Sequence, residues 1–293
     1  MDISSILNGY DTSDITVGVL GGHSALDVSH GAKQFGFNTV CIAREGREKT
    51  FEKYYKTRGE RGCIDTVIVK EGFDGVLDAD VQGKLRKMNT IFVHNRYFWV
   101  YFDDFSQVEK NFEVPIFGSR TLLKIEERDQ PYNQYHLLQD AGIRTPKIYN
   151  GVGGKGLGVG IDRPVIVKAA EAERGYERAF FVVTSDEEYE RIGSQMEAEG
   201  KIASNWREAT VEEFVVGAPI NFNYFYSPLT GELELMGTDT RRQTNLDGFL
   251  RMTAPQQIQA LQSVPLKMIE TGHIACTVKE SILEKAFDMG EKF

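Results

Sequence analysis

Cysteine is scarce in this sequence, and features that mark several other protein classes are missing altogether. The three cysteines, Cys41, Cys63 and Cys276, are odd in number and widely spaced, so they form neither a disulfide framework nor a metal-binding CxxC pair. No apolar run approaches the roughly 20 residues of a membrane-spanning helix, and the N-terminal segment MDISSILNGYDTSD lacks a basic, apolar signal pattern. The formal net charge of −9 argues against nucleic-acid binding over the whole surface. These absences predict a cytoplasmic, reduced protein that binds neither nucleic acid nor membrane.

The composition is that of a globular protein with a core of ordinary size. Hydrophobic residues make up 41% and charged residues 26% of the 293 residues. The usual size of roughly 100–200 residues per domain predicts two or three domains for a chain of this length. The sequence pattern changes near residue 120, which predicts one domain over residues 1–120 and a second over residues 121–293.

Short β-branched runs alternate with helical stretches in the first 120 residues. These runs cover residues 15–20, 39–43, 66–69 and 90–93. Strands separated by helices predict an α/β domain with a parallel sheet and helices on both faces. Ligands of such sheets bind at the carboxyl ends of the strands. The loop Gly21-Gly22-His23-Ser24 and the segment 94–97 both follow a strand there.

The second half has a different pattern, which predicts an α+β domain rich in antiparallel strands. We predict a polar helix over residues 121–140 and a second helix capped by Ser185. The predicted strands cover residues 165–168, 180–183 and 210–217, with a hairpin formed by residues 221–227 and 232–236. The strands 165–168 and 180–183 are expected to pair with each other.

The glycine-rich stretch at residues 151–160, GVGGKGLGVG, resembles a phosphate-binding loop in composition. A Walker loop needs a strand before it, and a Ser or Thr followed by a helix after its lysine. No strand pattern precedes this stretch, and Ile161-Asp162-Arg163-Pro164 stands where the helix would begin. The stretch is therefore interpreted as a flexible surface connection.

Lys168, which ends the strand RPVIVK, is a candidate for contact with a phosphate. An ammonium at the end of a buried strand needs an anionic partner. It either extends to the rim of the sheet or points at a bound anion, and its position alone leaves both readings open. We expect it to have no partner without ligand, so that Lys168→Ala leaves the fold intact.

Other pieces of a nucleotide site accompany Lys168 in the second half. Lys124 is a second candidate for the phosphates, and the strand edge Glu212-Glu213-Phe214-Val215 offers backbone groups for adenine and a carboxylate for ribose. Together these pieces are suited to phosphoryl transfer by charge neutralisation and positioning.

Several longer segments carry a family resemblance over nearly the whole chain. They are VGVLGGHSALDVSHGAKQFGFNTVCIA at 17–43, VPIFGSRTLLKIEER at 114–128, LLQDAGIRTPKIY at 137–149, RPVIVK at 163–168, VEEFVVGAPINFNYFYSPLTGELELMGTDTRRQTNLDGFLRM at 211–252 and ESILEKAFDMGEKF at 280–293. They resemble the formate-dependent formaminoimidazole-carboxamide ribonucleotide synthetases (the PurP family, mainly archaeal) of the ATP-grasp superfamily.

The resemblance implies a fold and a reaction. The fold would be an N-terminal α/β domain followed by an ATP-grasp domain. The enzyme would be a ligase that forms a C–N bond, converting aminoimidazole-carboxamide ribonucleotide (AICAR) to its formylated product FAICAR in purine (IMP) biosynthesis. ATP would activate formate as formyl phosphate, with Mg²⁺ or Mn²⁺ as cofactor. The resemblance also implies a homo-oligomer.

The resemblance also implies roles for particular residues. Those that would contact the imidazole nucleotide are His23, Ser24, Tyr97, Arg242 and Asn245. Those that would contact ATP are Lys124, Lys168, Glu213, Phe214 and Val215. It identifies no catalytic residue and no metal ligand.

Simpler readings of the same residues stay open. His23 and Asn245 would serve equally as turn residues, and Arg241 and Arg242 as a solvated pair. His94 and His136 are interpreted as structural or exposed.

The sequence departs from the family pattern at two ligand-facing places. It has VHNRYF where the family has a Pro-His-Gly-Ser-Phe-like stretch, so Tyr97 stands in place of a substrate-contacting serine. After Lys168 it has AAEAERGYERAFF instead of a glycine-rich loop. Glu171 and Glu173 would repel phosphates there unless Arg174 and Arg178 compensate. These departures keep open an ATP-grasp ligase for a different pair of acid and amine.

The C-terminal end is a third departure. The family chain continues beyond the equivalent of FDMGEKF into strands with magnesium ligands, whereas this sequence ends at Phe293. The resemblance therefore implies an incomplete ATP-grasp domain, with weak ATP binding and little turnover by residues 1–293 alone. A non-catalytic nucleotide-binding homologue is the corresponding alternative.

Overall fold

The computed structural model describes residues 3–22, 24–95, 97, 101–102, 104–120, 124–126, 130–150, 160–172, 179–267 and 269–293. The chain separates into two compact units, Met1–Lys124 and Ile125–Phe293. The predicted division into functional domains after residue 120 stays a prediction. Within the described ranges, no helix is both long enough and apolar enough to cross a membrane.

The first unit is built around a parallel sheet, as the sequence predicts. Its described strands are β1 (Thr16–Leu20), β2 (Asn38–Arg44), β3 (Thr66–Lys70), β4 (Thr90–Val93) and β5 (Ile116–Phe117), in the spatial order β3-β2-β1-β4-β5. Its described helices are α1 (Ile3–Leu7), α2 (Ala25–Gln34), α3 (Ala79–Lys87) and α4 (Ser106–Asn111). A turn of π-helix covers Thr50–Tyr54, and a 3-10 helix covers Phe73–Leu77.

Both faces of this sheet are buried, which explains why its strands read as apolar runs. Val40 and Ile42 of β2 pack into a cluster with Phe73, whereas Cys41 packs into a different cluster with Phe51. Successive side chains of a strand point to opposite faces. A strand covered on both faces therefore needs consecutive apolar residues.

The second unit contains two antiparallel sheets. The first consists of β6 (Val165–Lys168), β7 (Phe180–Val183) and β8 (Thr210–Glu213) in the order β7-β6-β8, with α5 (Gln134–Asp140), α6 (Asp186–Ala198) and a 3-10 helix over Trp206–Glu208. The second consists of β9 (Asn221–Ser227), β10 (Glu232–Gln243) and β11 (Glu270–Ala275), with α7 (Leu246–Phe249), α8 (Ala254–Leu261) and α9 (Glu280–Lys292).

Three predictions for the second unit are confirmed. Strand β6 pairs with β7 antiparallel, with Lys168 opposite Phe180. Strands β9 and β10 form the predicted hairpin, with Glu232 opposite Ser227. The Ser185 hydroxyl caps α6 by accepting a hydrogen bond from the Glu188 amide (3.2 Å).

The predicted helix over residues 121–140 is wrong in extent. Residues 124–126 form a turn, and the helix begins only at Gln134. Pro131 has no N–H to donate and disfavours helical backbone at the residue before it. Asn133 is the N-cap of this helix, and its side chain accepts a hydrogen bond from the Tyr135 amide (3.0 Å). Residues 121–123 and 127–129 lie outside the described part of the chain.

The strand predicted over residues 210–217 ends four residues early, and the second sheet is larger than predicted. Strand β6 begins at Val165, opposite Glu213, and Pro164 before it has no N–H with which to extend the ladder.

Strand β10 continues to Gln243 because β11, which the sequence did not suggest, pairs with its second half. The interpretation of residues 151–160 as a surface connection stays a prediction, because residues 151–159 lie outside the described part of the chain.

A glycine in α6 provides a test of packing in the second unit. Gly193 is buried, and a Cβ atom there would lie 2.2–2.5 Å from the ring of Trp206. Trp206 is 1% exposed, so its ring has little room to move. We expect Gly193→Ala to destabilise the protein by about 1–3 kcal/mol in chemical denaturation.

Gly83→Ala in α3 is the matched control. A Cβ at Gly83 has no atom within 4 Å, so this variant should gain about 0.5–1 kcal/mol from helix propensity. Equal effects of the two substitutions would contradict the packing argument.

Candidate active site

Lys168 lies at the end of β6 in a buried ionic cluster. Its ammonium pairs with the Glu212 carboxylate on the neighbouring strand β8, and its Nζ lies 3.3 Å from the Tyr135 hydroxyl oxygen. The Tyr135 hydroxyl donates a hydrogen bond to Glu212 Oε2 (2.6 Å). Glu212 is 7% exposed and Tyr135 5%. The expectation that Lys168 has no partner without ligand is therefore wrong, because β8 presents a carboxylate beside it.

The two adjacent acids of β8 have opposite surroundings. Glu212 lies on the same face of the sheet as Lys168 and pairs with it, whereas Glu213 lies on the opposite face and pairs with Arg163 (3.3 Å). This follows from the alternation of side chains along a strand. Glu213, the predicted ATP ligand, is thus the accessible acid of the pair.

The chain that leaves β8 is exposed. Phe214 is 37% exposed, Val215 61% and Val216 86%. The Phe214 amide donates a hydrogen bond to the Pro164 carbonyl (2.9 Å). Phe214 therefore lies beside the start of β6, at the opposite end of that strand from Lys168. The adenine contacts of Phe214 and Val215 stay predictions.

The segment that follows Lys168 is fixed at its start. Ala172 N donates to the Lys201 carbonyl (3.2 Å), and Ala203 N donates to the Ala170 carbonyl (3.0 Å). Glu171, one of the two acids of the altered loop, forms a β-bridge with Ile202. The other acid, Glu173, and the arginines at 174 and 178 lie outside the described residues.

In the first unit, the loop after β1 approaches its neighbours closely. A Cβ at Gly21 would lie 3.1 Å from the Ile42 carbonyl oxygen, and one at Gly22 would lie 1.9 Å from the Tyr97 ring. Ser24 adopts a left-handed backbone conformation (φ 68°) at the start of α2, which is uncommon for a residue with a side chain. The predicted ligand His23 lies outside the described residues.

Tyr97 lies beside this loop. Its ring centroid is 4.9 Å from those of both Phe73 and Tyr101. Its amide donates to the Asn95 side chain (3.1 Å), and Asn95 in turn donates to the Leu20 carbonyl at the end of β1 (3.1 Å). The structure therefore brings together the first-domain predictions Ser24 and Tyr97 at the carboxyl edge of the sheet.

Other predicted residues of the first unit have structural contacts. Lys124 Nζ lies 5.1 Å from the ring centroid of Phe105, and its role toward ATP stays a prediction. Burial lowers the pKa of His94 and so favours its neutral form, and its Nδ1 has no hydrogen-bond partner among the described residues.

The substrate residues predicted in the second unit lie near the end of β10. The Arg242 guanidinium pairs with Asp247 (3.0 Å). The Asn245 side chain donates to the Pro265 carbonyl (2.9 Å) and accepts from the Lys267 amide (2.7 Å), so it ties the 265–267 segment to the end of the strand. His136 completes the N-terminal cap of α5 with Asn133. The substrate roles of Arg242 and Asn245 stay predictions.

A charged network that the sequence analysis missed crosses the second sheet. Asp239 accepts hydrogen bonds from the side-chain amides of Asn221 (2.8 Å) and Asn223 (2.7 Å). His273 lies 2.5 Å from Asp239 Oδ1 and 2.8 Å from Glu270 Oε1, and Arg241 pairs with Glu270 as well (3.3 Å). The alternation in NFNYFYS signals that the two asparagines share a face, but only the pairing with β11 brings His273 to Asp239.

This network shifts the acidity of its members. The hydrogen bond from Asn221, with those from His273 and Asn223, lowers the pKa of Asp239 to about 2. The hydrogen bonds to Asp239 and Glu270 raise the pKa of His273 above its usual value. His273 is therefore held toward its charged form between two carboxylates.

The described carboxylates offer no ready metal site. Among the described residues, no group of three or more His, Cys, Asp or Glu side chains is arranged to hold a metal ion. An open groove of about 630 Å³ at the ends of β2 and β3 is lined by Glu45, Val69, Lys70, Glu71, Gly72, Asp74, Gly75 and Asp78. Its lysine already pairs with Asp78 (2.5 Å), so the excess of carboxylates disfavours a phosphate ligand there.

Comparison with known proteins gives matches along the whole sequence. Two families match, a protein of unknown function (DUF1246) over residues 17–149 and a domain of unknown function (DUF1297) over residues 188–293. A 5-formaminoimidazole-4-carboxamide-1-(beta)-D-ribofuranosyl 5'-monophosphate synthetase from Methanothermobacter thermautotrophicus is 36% identical over 293 residues, covering 99% of this chain and 75% of the relative. The protein of the same name from Methanopyrus kandleri is 34% identical, covering 99% and 76%.

Solved structures match at lower identity. The IMP biosynthesis protein PurP from Thermococcus kodakaraensis has a TM-score of 0.63 at 22% identity, covering 94% of this chain and 73% of that protein. The N5-carboxyaminoimidazole synthase from Aspergillus clavatus, in complex with ADP and an aminoimidazole ribonucleotide, has a TM-score of 0.51 at 15% identity, covering 95% and 62%. At these identities the similarity establishes the fold.

The ionic cluster predicts a loss of stability when Lys168 is replaced. Lys168→Met keeps most of the side-chain volume but leaves the Glu212 carboxylate buried without its cation. We expect the free energy of unfolding to fall by about 2 kcal/mol, measured by chemical denaturation.

The matched variant is Lys168→Met combined with Glu212→Gln. It leaves no buried unpaired charge and should recover most of the lost stability. A single variant as stable as the parent protein would show that the pair contributes nothing.

The network around His273 predicts a pH-dependent contribution to stability. Because its pKa is raised on folding, the contribution of His273 is fully present below about pH 6.5 and is lost as the pH rises through the folded pKa. Asp239, whose pKa is lowered, contributes fully above about pH 4 and loses its contribution as the pH falls toward 2. We expect His273→Gln to lower the melting temperature by about 2 °C at pH 5.5 and by less at pH 9.

His30→Gln, at an exposed histidine of α2, is the control and should give the same small difference at both pH values. An effect of His273→Gln that does not change between pH 5.5 and pH 9 would contradict the charge argument.

Proposed function

This chain belongs to the 5-formaminoimidazole-4-carboxamide ribonucleotide synthetase family, and we propose that it formylates aminoimidazole-carboxamide ribonucleotide with formate and ATP. The family and the ATP-grasp fold that the sequence predicts are confirmed. The enzyme class is accordingly a ligase that forms a C–N bond. The place of the reaction would be the synthesis of the purine nucleotide IMP.

The observation that carries the proposal is the position of Lys168. Its ammonium pairs with the Glu212 carboxylate of β8, and β8 leads into the exposed segment that begins at Phe214. The ammonium would attract the phosphates of a nucleotide, and the exposed segment would offer contacts to its base. Glu213, at the end of β8, would meet the ribose.

The loop of the first unit supports a role in binding the imidazole nucleotide. Gly21 and Gly22 allow the backbone to run close to β2 and to Tyr97, and α2 begins directly after the loop. Backbone amides at the beginning of a helix are suited to an anionic group. We assign the contacts to His23, Ser24 and Tyr97 in this unit, and to Arg242 and Asn245 in the other.

The proposed reaction has two steps. A formate oxygen attacks the γ-phosphorus of ATP, and ADP leaves, so that formyl phosphate is formed. The amino nitrogen of the imidazole nucleotide then attacks the formyl carbon, and phosphate leaves as the C–N bond forms and the nitrogen loses a proton. The role of Lys168 is to hold the transferred phosphoryl group and offset its charge.

ATP is proposed to act together with a divalent ion, Mg²⁺ or Mn²⁺. The described carboxylates do not fit a site for this ion, since Glu212, Glu213 and Asp239 are engaged with Lys168, Arg163 and His273. We therefore assign no metal ligand to them and derive no step through the metal. A cytoplasmic location and a homo-oligomeric assembly belong to the same proposal.

The test is phosphate release by the protein purified as its gene encodes it. We expect ADP and phosphate to form from ATP only when formate and the imidazole nucleotide are both present with Mg²⁺. Mass spectrometry should find one formyl group added to the nucleotide.

Two outcomes would overturn the proposal in different ways. Phosphate release that requires another acid or amine would favour an ATP-grasp ligase with different substrates, an alternative motivated by Tyr97. Nucleotide binding without phosphate release under any of these conditions would favour a non-catalytic homologue.

A further inference from the structure

Three side chains from three separate elements converge on one buried point of the second unit. Tyr135 comes from α5, Lys168 from β6 and Glu212 from β8. Tyr135 donates to Glu212 Oε2 (2.6 Å), while the Lys168 ammonium contacts Glu212 Oε1. The side chains of Lys168 and Glu212 are 16% and 9% exposed. Each carboxylate oxygen therefore has its own donor, in a place that is nearly closed to water.

The position of Tyr135 is built into the fold. Asn133, which is 0% exposed, accepts a hydrogen bond from the Tyr135 amide (3.0 Å) and so fixes the first turn of α5. The Lys168 ammonium also lies 5.9 Å from the centroid of the Tyr135 ring, close enough for a favourable cation–π interaction. The Tyr135 hydroxyl is thus held near both charged groups.

A phosphate ligand of Lys168 would compete with the Glu212 carboxylate for the Lys168 ammonium. An ammonium shared with phosphates interacts less with Glu212, and a buried carboxylate that loses its donors is strongly destabilised. Within the described part of the chain, the side chain of Glu212 takes its hydrogen bonds and ion pairs from Tyr135 and Lys168. When Lys168 turns to a phosphate, the Tyr135 hydroxyl is the donor that remains.

We propose that Tyr135 is a positioning residue for ATP: its hydroxyl satisfies the buried Glu212 carboxylate and thereby lets Lys168 engage the phosphates. This inference rests on the proposed function, in which Lys168 binds ATP. Glu212 binds the Lys168 ammonium in the absence of nucleotide. The hydrogen bond from Tyr135 to Glu212 lowers the free energy required to separate Lys168 from Glu212. The acid that regulates Lys168 is therefore Glu212, whereas Glu213 pairs with Arg163 on the opposite face of the sheet.

The test is a double-mutant cycle on ATP affinity, measured by calorimetry with MgATP on the protein purified as its gene encodes it. Tyr135→Phe keeps the ring and removes only the hydroxyl. We expect it to weaken ATP binding about tenfold, as expected for the loss of one hydrogen bond to a charged group, while kcat at saturating ATP stays within about twofold.

The second arm removes the charge through which Tyr135 acts. Glu212→Gln removes the buried carboxylate that holds Lys168, so ATP affinity should equal or exceed that of the parent protein. In this background, adding Tyr135→Phe should change ATP affinity by less than about twofold. Such a coupling is not expected of a general loss of packing, which would persist in both backgrounds.

Tyr189→Phe is the matched control. Tyr189 is 2% exposed in the same unit, and its hydroxyl oxygen has no hydrogen-bond partner among the described residues. This variant removes a buried tyrosine hydroxyl that does not contact Lys168 or Glu212, so ATP affinity should not change. Melting temperatures of all variants establish that binding is measured on folded protein.

Two results would overturn the inference while leaving the proposed function intact. They are ATP affinity of Tyr135→Phe within twofold of the parent protein, and an equal loss with and without Glu212→Gln. If Lys168→Met binds ATP as well as the parent protein, Lys168 is not a phosphate ligand, and both the inference and this part of the proposed function fail.

Discussion

The pairing of Lys168 with Glu212 is the interaction on which the candidate nucleotide site depends. A carboxylate that is 7% exposed has to be matched by donors, and this requirement ties α5, β6 and β8 together at one point. It also separates the two acids of β8, since Glu212 faces Lys168 while Glu213 faces Arg163. The consequence for chemistry is that Lys168 has a defined position before any nucleotide binds. A lysine held in this way is a better starting point for phosphate recognition than one that moves freely at the rim of a sheet.

In the first unit, the loop after β1 depends on close approach of its backbone to neighbouring groups. The Ile42 carbonyl lies close to Gly21 and the Tyr97 ring lies close to Gly22, so that a Cβ atom at either glycine would be too near its neighbour. The loop is therefore packed against the sheet and the aromatic group of Phe73, Tyr97 and Tyr101. Ser24, at the end of the same loop, has a left-handed backbone conformation. Strain that persists at the end of a central strand is typical of a functional loop, in agreement with the family to which the chain belongs.

Some predictions from the sequence failed for reasons that are local and physical. The helix expected from residue 121 begins at Gln134, because Pro131 interrupts helical backbone and Asn133 supplies a new cap. The strand expected to reach residue 217 ends at Glu213, where its partner β6 begins after Pro164. In both cases a proline outweighed a pattern of otherwise suitable residues. Strand β11 escaped notice because ETGHIA has a glycine and little apolar periodicity, so its conformation depends on pairing with β10.

The sequence by itself determined the parallel sheet of the first unit, the hairpin of the second, and the family. Apolar runs of β-branched residues and short polar turns encode strands locally, and long segments such as TNLDGFLRM identify relatives without reference to contacts. Tertiary structure alone decided which charges meet. Tyr135 and Glu212 are 77 residues apart, and His273 and Asp239 are 34 apart, so no local pattern could pair them. The partner of Lys168 is likewise set by the register of β6 against β8, because a shift of one residue would place Glu213 where Glu212 now lies.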